Sequence, residues 1–217
     1  EIGIKSFVKS RPNDFNFGMD VTKAAYLPFE QAFPLKYVID DKHCKGDCGK
    51  ACLNACKYEA IDLGMKAETV KLKVGAVVLA TGWDLYDTAR VDTLGAGRVE
   101  NVITNMQMER IAAPNGPTKG KILRPSDGKQ AKNVAFVQCA GSRDENHLAY
   151  CSYACCMASL KQVTYLREQY KDSKAEIFYI DIRTPGRYEQ FYWNVKNDPN
   201  VKLTKGKVAR ITGEPET

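Results

Sequence analysis

Hydrophobic and polar residues alternate with period two along TVKLKV (69–74), the pattern of a half-buried strand, and the VGAVVLA run (74–80) that follows has the length of a fully buried one. That run ends in Ala80, Thr81 and Gly82. A longer series starts at Lys132: NVAFVQC (133–139) reads as a strand, AGSRDENHLAY (140–150) as a turn and 152–170 as a helix. AEIFYIDI (175–182), 188–197 and VKLTKGKVARITG (201–213) then read as strand, helix and strand. Strands joined through helices run parallel, so an α/β fold with a mostly parallel, Rossmann-like sheet is expected.

The remaining chain is more punctuated. Pro12, Gly18, Pro28 and Pro34 make the first forty residues read as irregular and partly extended, and YEAIDL (58–63) reads as a short element packed over the cysteine-rich stretch before it. Residues 83–130 read as a connector with little core of its own, carrying one helix at 105–112. No internal repeat or low-complexity tract interrupts this order. The expected division is a small cysteine-rich module over 1–68, a strand and connector over 69–130, and an α/β domain over 131–217 that is incomplete at its C-terminus.

Composition narrows the function more than the fold. With 44% hydrophobic and 27% charged residues, the chain is globular rather than disordered. The net charge of +6 is scattered, without the basic stripe interleaved with aromatics that nucleic acid requires. No apolar run approaches the ~18 residues needed to cross a bilayer, so any membrane link is expected through partner subunits. The chain opens on Glu1 without a leader or an initiator Met, which fits an excised piece of a cytoplasmic protein.

All eight cysteines fall in two groups. Cys44, Cys48, Cys52 and Cys56 are spaced C-x3-C-x3-C-x3-C; the usual ferredoxin run has two shorter spacings and a Pro where Lys57 stands here. Spacing by four makes Cys52 and Cys56 helical neighbours, and Gly46 and Gly49 allow close backbone approach. Three readings stand: an iron-sulfur cluster, which ligand type favours, a structural zinc, and free thiols or disulfides. His43 is a spare ligand or a polar neighbour.

The second group is Cys139 at a strand end, followed by Cys151, Cys155 and Cys156, which on this reading occupy the first turn and a half of a helix. A dinucleotide-binding fold would place G-x-G-x-x-G in this turn, yet the sequence reads CAGSRD and only Gly141 remains. The helix dipole favours thiolates, or an anionic cluster, where it would otherwise favour a phosphate. The plainer reading is a pair of buried structural cysteines plus a redox-inert Cys139. Arg143, Asp144, Glu145 and His147 read as solvated loop charges, and Asp181 as a strand-end acid.

The segments VGAVVLATGW (74–83), NVITNMQMERIAAPNGPTKGKILRPSDGK (101–129), CAGSRDENHLAYCSYACCMASLKQ (139–162) and RTPGRYEQFY (183–192) together resemble the flavin-containing A subunit of heterodisulfide reductases. They also resemble its sulfate-reduction relative, the A subunit of the quinone-interacting membrane-bound oxidoreductase complex. The resemblance implies that Cys139, Cys151, Cys155 and Cys156 hold a 4Fe-4S cluster and that Cys44, Cys48, Cys52 and Cys56 lie in a ferredoxin-like insertion. It further implies that Thr81 and Gly82 end the strand that touches FAD, in a thioredoxin-reductase-type domain.

The family's G-x-G-x-x-G fingerprint for FAD occurs nowhere in the chain, so flavin is expected in the parent protein and absent from this piece, which alone is expected to be inactive. The implied function is electron transfer within a complex peripheral to the membrane, to or from a soluble reductase such as adenylylsulfate reductase. Two alternatives are a zinc-stabilised interaction module without catalysis and a thiol-disulfide oxidoreductase using Cys155 and Cys156.

Overall fold

The computed structural model describes residues 10–44, 51–66 and 68–213. The chain divides into two units, Glu1–Asp84 and Leu85–Thr217.

In the first unit, β1 (Ser10–Pro12) pairs antiparallel with β2 (Val21–Lys23), and β3 (Ala25–Tyr26) with β4 (Val38–Ile39). The stretch expected to be irregular thus folds into two ribbons. Ribbons this short are marginal by themselves, and a buried cation ties them together. Arg11 in β1 is 7% exposed, pairs with Asp14 and with Asp40 at 2.5 Å, and lies 4.4 Å over the Tyr26 ring. Phe15 stacks on Phe29 with ring centroids 4.8 Å apart. Helix α1 (Ala51–Ala55) spans five residues, none of them buried.

The patterns at 69–74 and 74–80 do not become strands, and 58–63 forms no regular element. Val70, Leu72, Val77, Val78 and Leu79 are all exposed, Val78 by 88%. The reason is physical: a strand persists only if its amides and carbonyls are paired and one face is covered. Among the described residues nothing pairs with this stretch.

The second unit carries the parallel sheet. Strands β5 (Asn133–Val137), β6 (Lys174–Tyr179) and β7 (Val201–Lys205) lie in that order, with Phe136 opposite Ile177 and Ile177 opposite Leu203. Helix α3 (Cys155–Gln169) connects β5 to β6, and α4 (Glu189–Lys196) connects β6 to β7. The α/β reading with a parallel sheet is therefore correct, although the last strand stops at Lys205.

Along α3 the buried positions Cys156, Ser159, Leu160, Val163 and Leu166 recur three or four apart, which puts them on one face. Leu160, Val163 and Leu166 are at most 1% exposed, as is Ile177 of β6. Each such aliphatic side chain contributes ~1.5–3 kcal/mol by leaving water.

Helix α2 (Asn105–Ala112) begins with a capping box between Thr104 and Gln107 and buries Met108 and Ile111. The segment expected to lack a core therefore supplies one layer of it. The buried Gln162 of α3 donates to Asn105 O at 2.9 Å and to Glu109 Oε1 at 3.0 Å, fixing α3 against α2. At the other end of α3, Arg167 donates to the carbonyls of Tyr170, Lys171 and Ser173 and pairs with Asp198 at 2.9 Å. Those contacts satisfy acceptors left open where the helix and its following turn end.

Candidate functional site

Three neighbouring strands end beside one another, and two residues beyond each end stands a chemically distinctive side chain. They are Cys139 after β5, Asp181 after β6 and Lys207 after β7. The carboxyl ends of parallel strands are where open α/β sheets gather ligands.

At β5 the amide of Gln138 still donates to Phe178 O at 3.0 Å, then the chain turns sharply at Cys139, whose φ is 57°. Cys139 is buried at 6% exposure. Gly141 follows at φ 84°, and a Cβ there would sit 2.4 Å from the Tyr86 ring, so only glycine fits both the backbone and the ring. Arg143 is a third left-handed residue, at φ 53°. Non-glycine residues in this region cost on the order of 1–3 kcal/mol each and persist where the surroundings fix them.

The surroundings do so here. Within the loop, Leu148 donates to Gly141 O at 3.2 Å, Asp144 to Leu148 O at 3.1 Å and Arg143 to Tyr150 O at 3.1 Å. Tyr86 Oη and His147 Nδ1 are 2.8 Å apart, Lys207 pairs with Asp144 at 2.5 Å, and Arg143 pairs with Asp181. These are not solvated loop charges, as the sequence suggested, but the loop's tethers.

Helix α3 starts at Cys155, later than expected, because Tyr153 is left-handed at φ 58° and breaks the turn before it. Cys151 therefore lies in the lead-in loop and does not share a helix face with Cys155. Its sulfur accepts the Tyr153 amide at 3.4 Å. The N-cap, Ala154, offers no side-chain hydrogen bond, leaving first-turn amides to serve whatever anion lies at the helix start.

Electrostatics separates Cys139, Cys155 and Cys156. Cys155 is held well below the ordinary thiol value, first by a hydrogen bond from Cys156, with Ser152 Oγ 3.7 Å away adding to it. The same bond, followed by burial, pushes Cys156 well above the ordinary value. Asp181 O, 3.8 Å from Cys156 Sγ, is the alternative acceptor for the single Cys156 proton. Cys139 is raised by burial first and by the Cys155 charge second, while the Arg143 guanidinium pulls it the other way. Cys139 thus feels both Cys151 and Cys155.

All seven described cysteines are free thiols. Among the described residues, no three His, Cys, Asp or Glu side chains stand close enough to enclose one metal ion. Tetrahedral zinc with Zn–S bonds near 2.3 Å would need sulfurs ~3.8 Å apart. The buried Gln138 Oε1, just before Cys139, has no hydrogen-bond partner among the described residues, an unusual state for a buried acceptor.

The first cysteine group is held more loosely. Cys44 closes a turn by donating to Asp40 O at 2.8 Å, and the Asp40 carboxylate also meets His43 Nδ1 at 3.0 Å. Cys56 follows α1, its amide donating to Cys52 O at 3.1 Å and its sulfur accepting the Ala60 amide at 3.4 Å, as four-residue spacing predicts. Cys48 lies outside the described residues, with Gly46 and Gly49. Thr81 and Gly82 are exposed, in a stretch without regular structure.

The sequence reading misses the parts played by Arg143, Arg183 and Tyr86 and the pairing of Asp181. The signal was available for one of them: the DIR tripeptide lies just past a strand whose neighbour is followed, two residues on, by a cysteine.

No family model matches the chain. Curated relatives do. The chain is 42% identical over 200 residues to the A subunit of the ferredoxin/F(420)H(2)-dependent CoB-CoM heterodisulfide reductase of Methanosarcina acetivorans, covering 92% of this chain and 25% of that protein. It is 42% identical over 208 residues to the iron-sulfur A subunit of the CoB–CoM heterodisulfide reductase of Methanocaldococcus jannaschii, covering 95% and 31%. Over 207 residues it is 38% identical to the A subunit of the H(2):CoB-CoM heterodisulfide,ferredoxin reductase of Methanothermobacter marburgensis, covering 94% and 31%. The chain spans about a quarter to a third of the length of these relatives. Over nearly its whole length it is homologous to part of the A subunit of heterodisulfide reductase.

Proposed function

We propose that this homologue of the heterodisulfide reductase A subunit is an electron-relay segment of a larger oxidoreductase, in which Cys139, Cys151, Cys155 and Cys156 hold a 4Fe-4S cluster. The observation that carries the reading is the placing of Cys139 at the carboxyl end of a parallel sheet and of Cys155 and Cys156 at an uncapped helix start, with Cys151 in the loop before it, in a chain 42% identical to a protein named for its iron-sulfur character. The donor set fits such a centre. Thiolates are the usual ligands of iron-sulfur clusters, and an anionic cluster is favoured by free amides at a helix N-terminus as a phosphate is.

Each part of the chain then has a task. Cys139 supplies a ligand from a rigid strand end, and its burial excludes water on that side. Cys155 is already biased toward the thiolate that ligation needs. The lead-in loop brings Cys151 round, and the tethered loop at 139–150 keeps the opening between β5 and α3 fixed. When bound, the cluster would take up and release one electron at a time.

Cys44, Cys48, Cys52 and Cys56 are proposed as a second, ferredoxin-like centre. Residues 131–217 are proposed as part of a Rossmann-like domain, with Thr81 and Gly82 reaching FAD only in a longer protein that carries the glycine-rich cradle. Partner subunits, a peripheral position at the membrane and a soluble reductase such as adenylylsulfate reductase rest on the family resemblance alone.

Anaerobic reconstitution with iron and sulfide should give broad absorbance at about 400 nm and an EPR signal on reduction. Cys151→Ala should remove the part of the iron and the signal that Cys52→Ala leaves. Reconstituted protein that takes up no iron, or Cys151→Ala retaining the parent's full content, would sink the reading.

A further inference from the structure

Asp181 sits beyond the central strand of the sheet and pairs with two arginines. Its carboxylate accepts from Arg143 Nη1 and lies 3.6 Å from Arg183 Nη2. Arg143 belongs to the loop after Cys139, and its charge and hydrogen bond both act on that cysteine. Arg183 lies 5.2 Å over the ring of Tyr153, two residues after Cys151, and its own pKa is raised first by Cys151 and then by Asp181. The backbone carbonyl of Asp181 meanwhile lies 3.8 Å from the Cys156 sulfur. One residue therefore joins both cations to three of the four cysteines.

Nothing about packing demands this arrangement. The side chains of Arg143, Arg183 and Asp181 are 25%, 34% and 48% exposed, and ion pairs so placed contribute little to folding. Yet Arg143 is kept in a left-handed conformation, anchored by its amide on Tyr150 O, and that conformation aims its side chain back past Cys139 toward Asp181. Two arginines against one aspartate leave a fixed net positive charge beside the sulfurs.

We infer that Arg143 and Arg183, clamped by Asp181, are positioning residues that set the charge balance of the four-cysteine site and so raise the reduction potential of the centre it holds. The inference rests on the proposed cluster reading. A centre ligated by four thiolates is anionic and gains one more negative charge for each electron added. A cation fixed several ångströms away stabilises the reduced form more than the oxidised one. Partial exposure weakens this but does not reverse its sign.

The test uses the 217-residue chain with Cys52→Ala and Cys56→Ala, so that only the second centre is read. After anaerobic reconstitution, iron and sulfide content are measured and the midpoint potential is found by EPR-monitored titration with dithionite and mediators. Arg143→Gln and Arg183→Gln should each lower the ratio of reduced to oxidised centre at a fixed potential by about tenfold, which is about 59 mV for a one-electron couple. Arg143→Lys and Arg183→Lys keep the charge and should recover most of the shift. Glutamine variants with the parent's iron content and an unmoved potential would overturn the role of the arginines and leave the cluster reading intact. A background protein that takes up no iron, or one that Cys151→Ala leaves fully loaded, would overturn both.

Discussion

The two cysteine groups differ less in their number of sulfurs than in what stands beneath them. Under Cys139, Cys155 and Cys156 lies a core of Leu160, Val163, Leu166 and Ile177, and three side-chain tethers hold the adjoining loop. Around Cys44, Cys52 and Cys56 there is a five-residue helix with no buried position and one turn hung on Asp40. Helices this short do not persist in water by themselves. The second group is thus arranged by a packed scaffold, whereas the short helix beside the first offers its described cysteines no buried position.

The largest expected effect attacks the scaffold itself. Leu166→Ala, at a side chain with no exposed surface, should destabilise the second unit by about 2–5 kcal/mol through lost transfer energy and the cavity left behind. Val78→Ser, at an equally hydrophobic but 88% exposed position of the first unit, should change stability by less than about 0.5 kcal/mol. Urea unfolding followed by circular dichroism measures both. Similar losses for the two substitutions would show that the exposed apolar run is buried after all.

The same contrast marks what can be read from sequence. Helix α2 is legible because Thr104 and Gln107 cap it and because Met108 and Ile111 repeat at helical spacing. The three parallel strands are legible because each is short, apolar and followed by a turn or a helix. The run from Val70 to Leu79 carries an equally strong strand pattern and still forms none, since periodicity reports what a segment can bury and not whether a partner is present. At the candidate site the cysteines are visible in the sequence, but the start of α3 is not. It is set by the left-handed Tyr153, which no spacing rule foresees. The pairing of Arg143 with Asp181 crosses 38 residues and depends on adjacent strand ends, so it becomes legible only once the sheet order is known.

A smaller effect tests the tethered loop against the open stretch. Gly141→Ala adds left-handed strain and drives a methyl group into the Tyr86 ring, which should cost about 2 kcal/mol or more. Gly82→Ala has a similar φ of 69°, but nothing lies within 4 Å of its new methyl group and the surrounding chain is unpaired. Its cost should not exceed ~1 kcal/mol. Crystallography or NMR of the Gly141 variant should also find Tyr86 displaced and its contact with His147 lost. An undisturbed Tyr86 would mean that the loop is not held as described.

The smallest effect is a matter of acid. In both units a carboxylate is held below its ordinary value of 3.8. Burial works against ionisation at Asp198 but is outweighed by the hydrogen bond from Arg167, and at Asp40 by those from His43 and Arg11. A carboxyl group lowered on folding adds stability that is fully present above its unfolded value and is lost as pH falls through its folded value. The loss should therefore begin as pH drops through about 4 and be complete only below the folded values. Asp198→Asn should cost the second unit about 1 kcal/mol at neutral pH, because Arg167 still caps the carbonyls after α3. It should also flatten the acid limb of that unit's stability curve, while Asp40→Asn flattens the limb of the first. The two limbs separate the units: if Asp198→Asn altered the acid response of the Arg11 ribbons as well, the two would unfold as one body and the contrast between their cysteine groups would lose its structural basis.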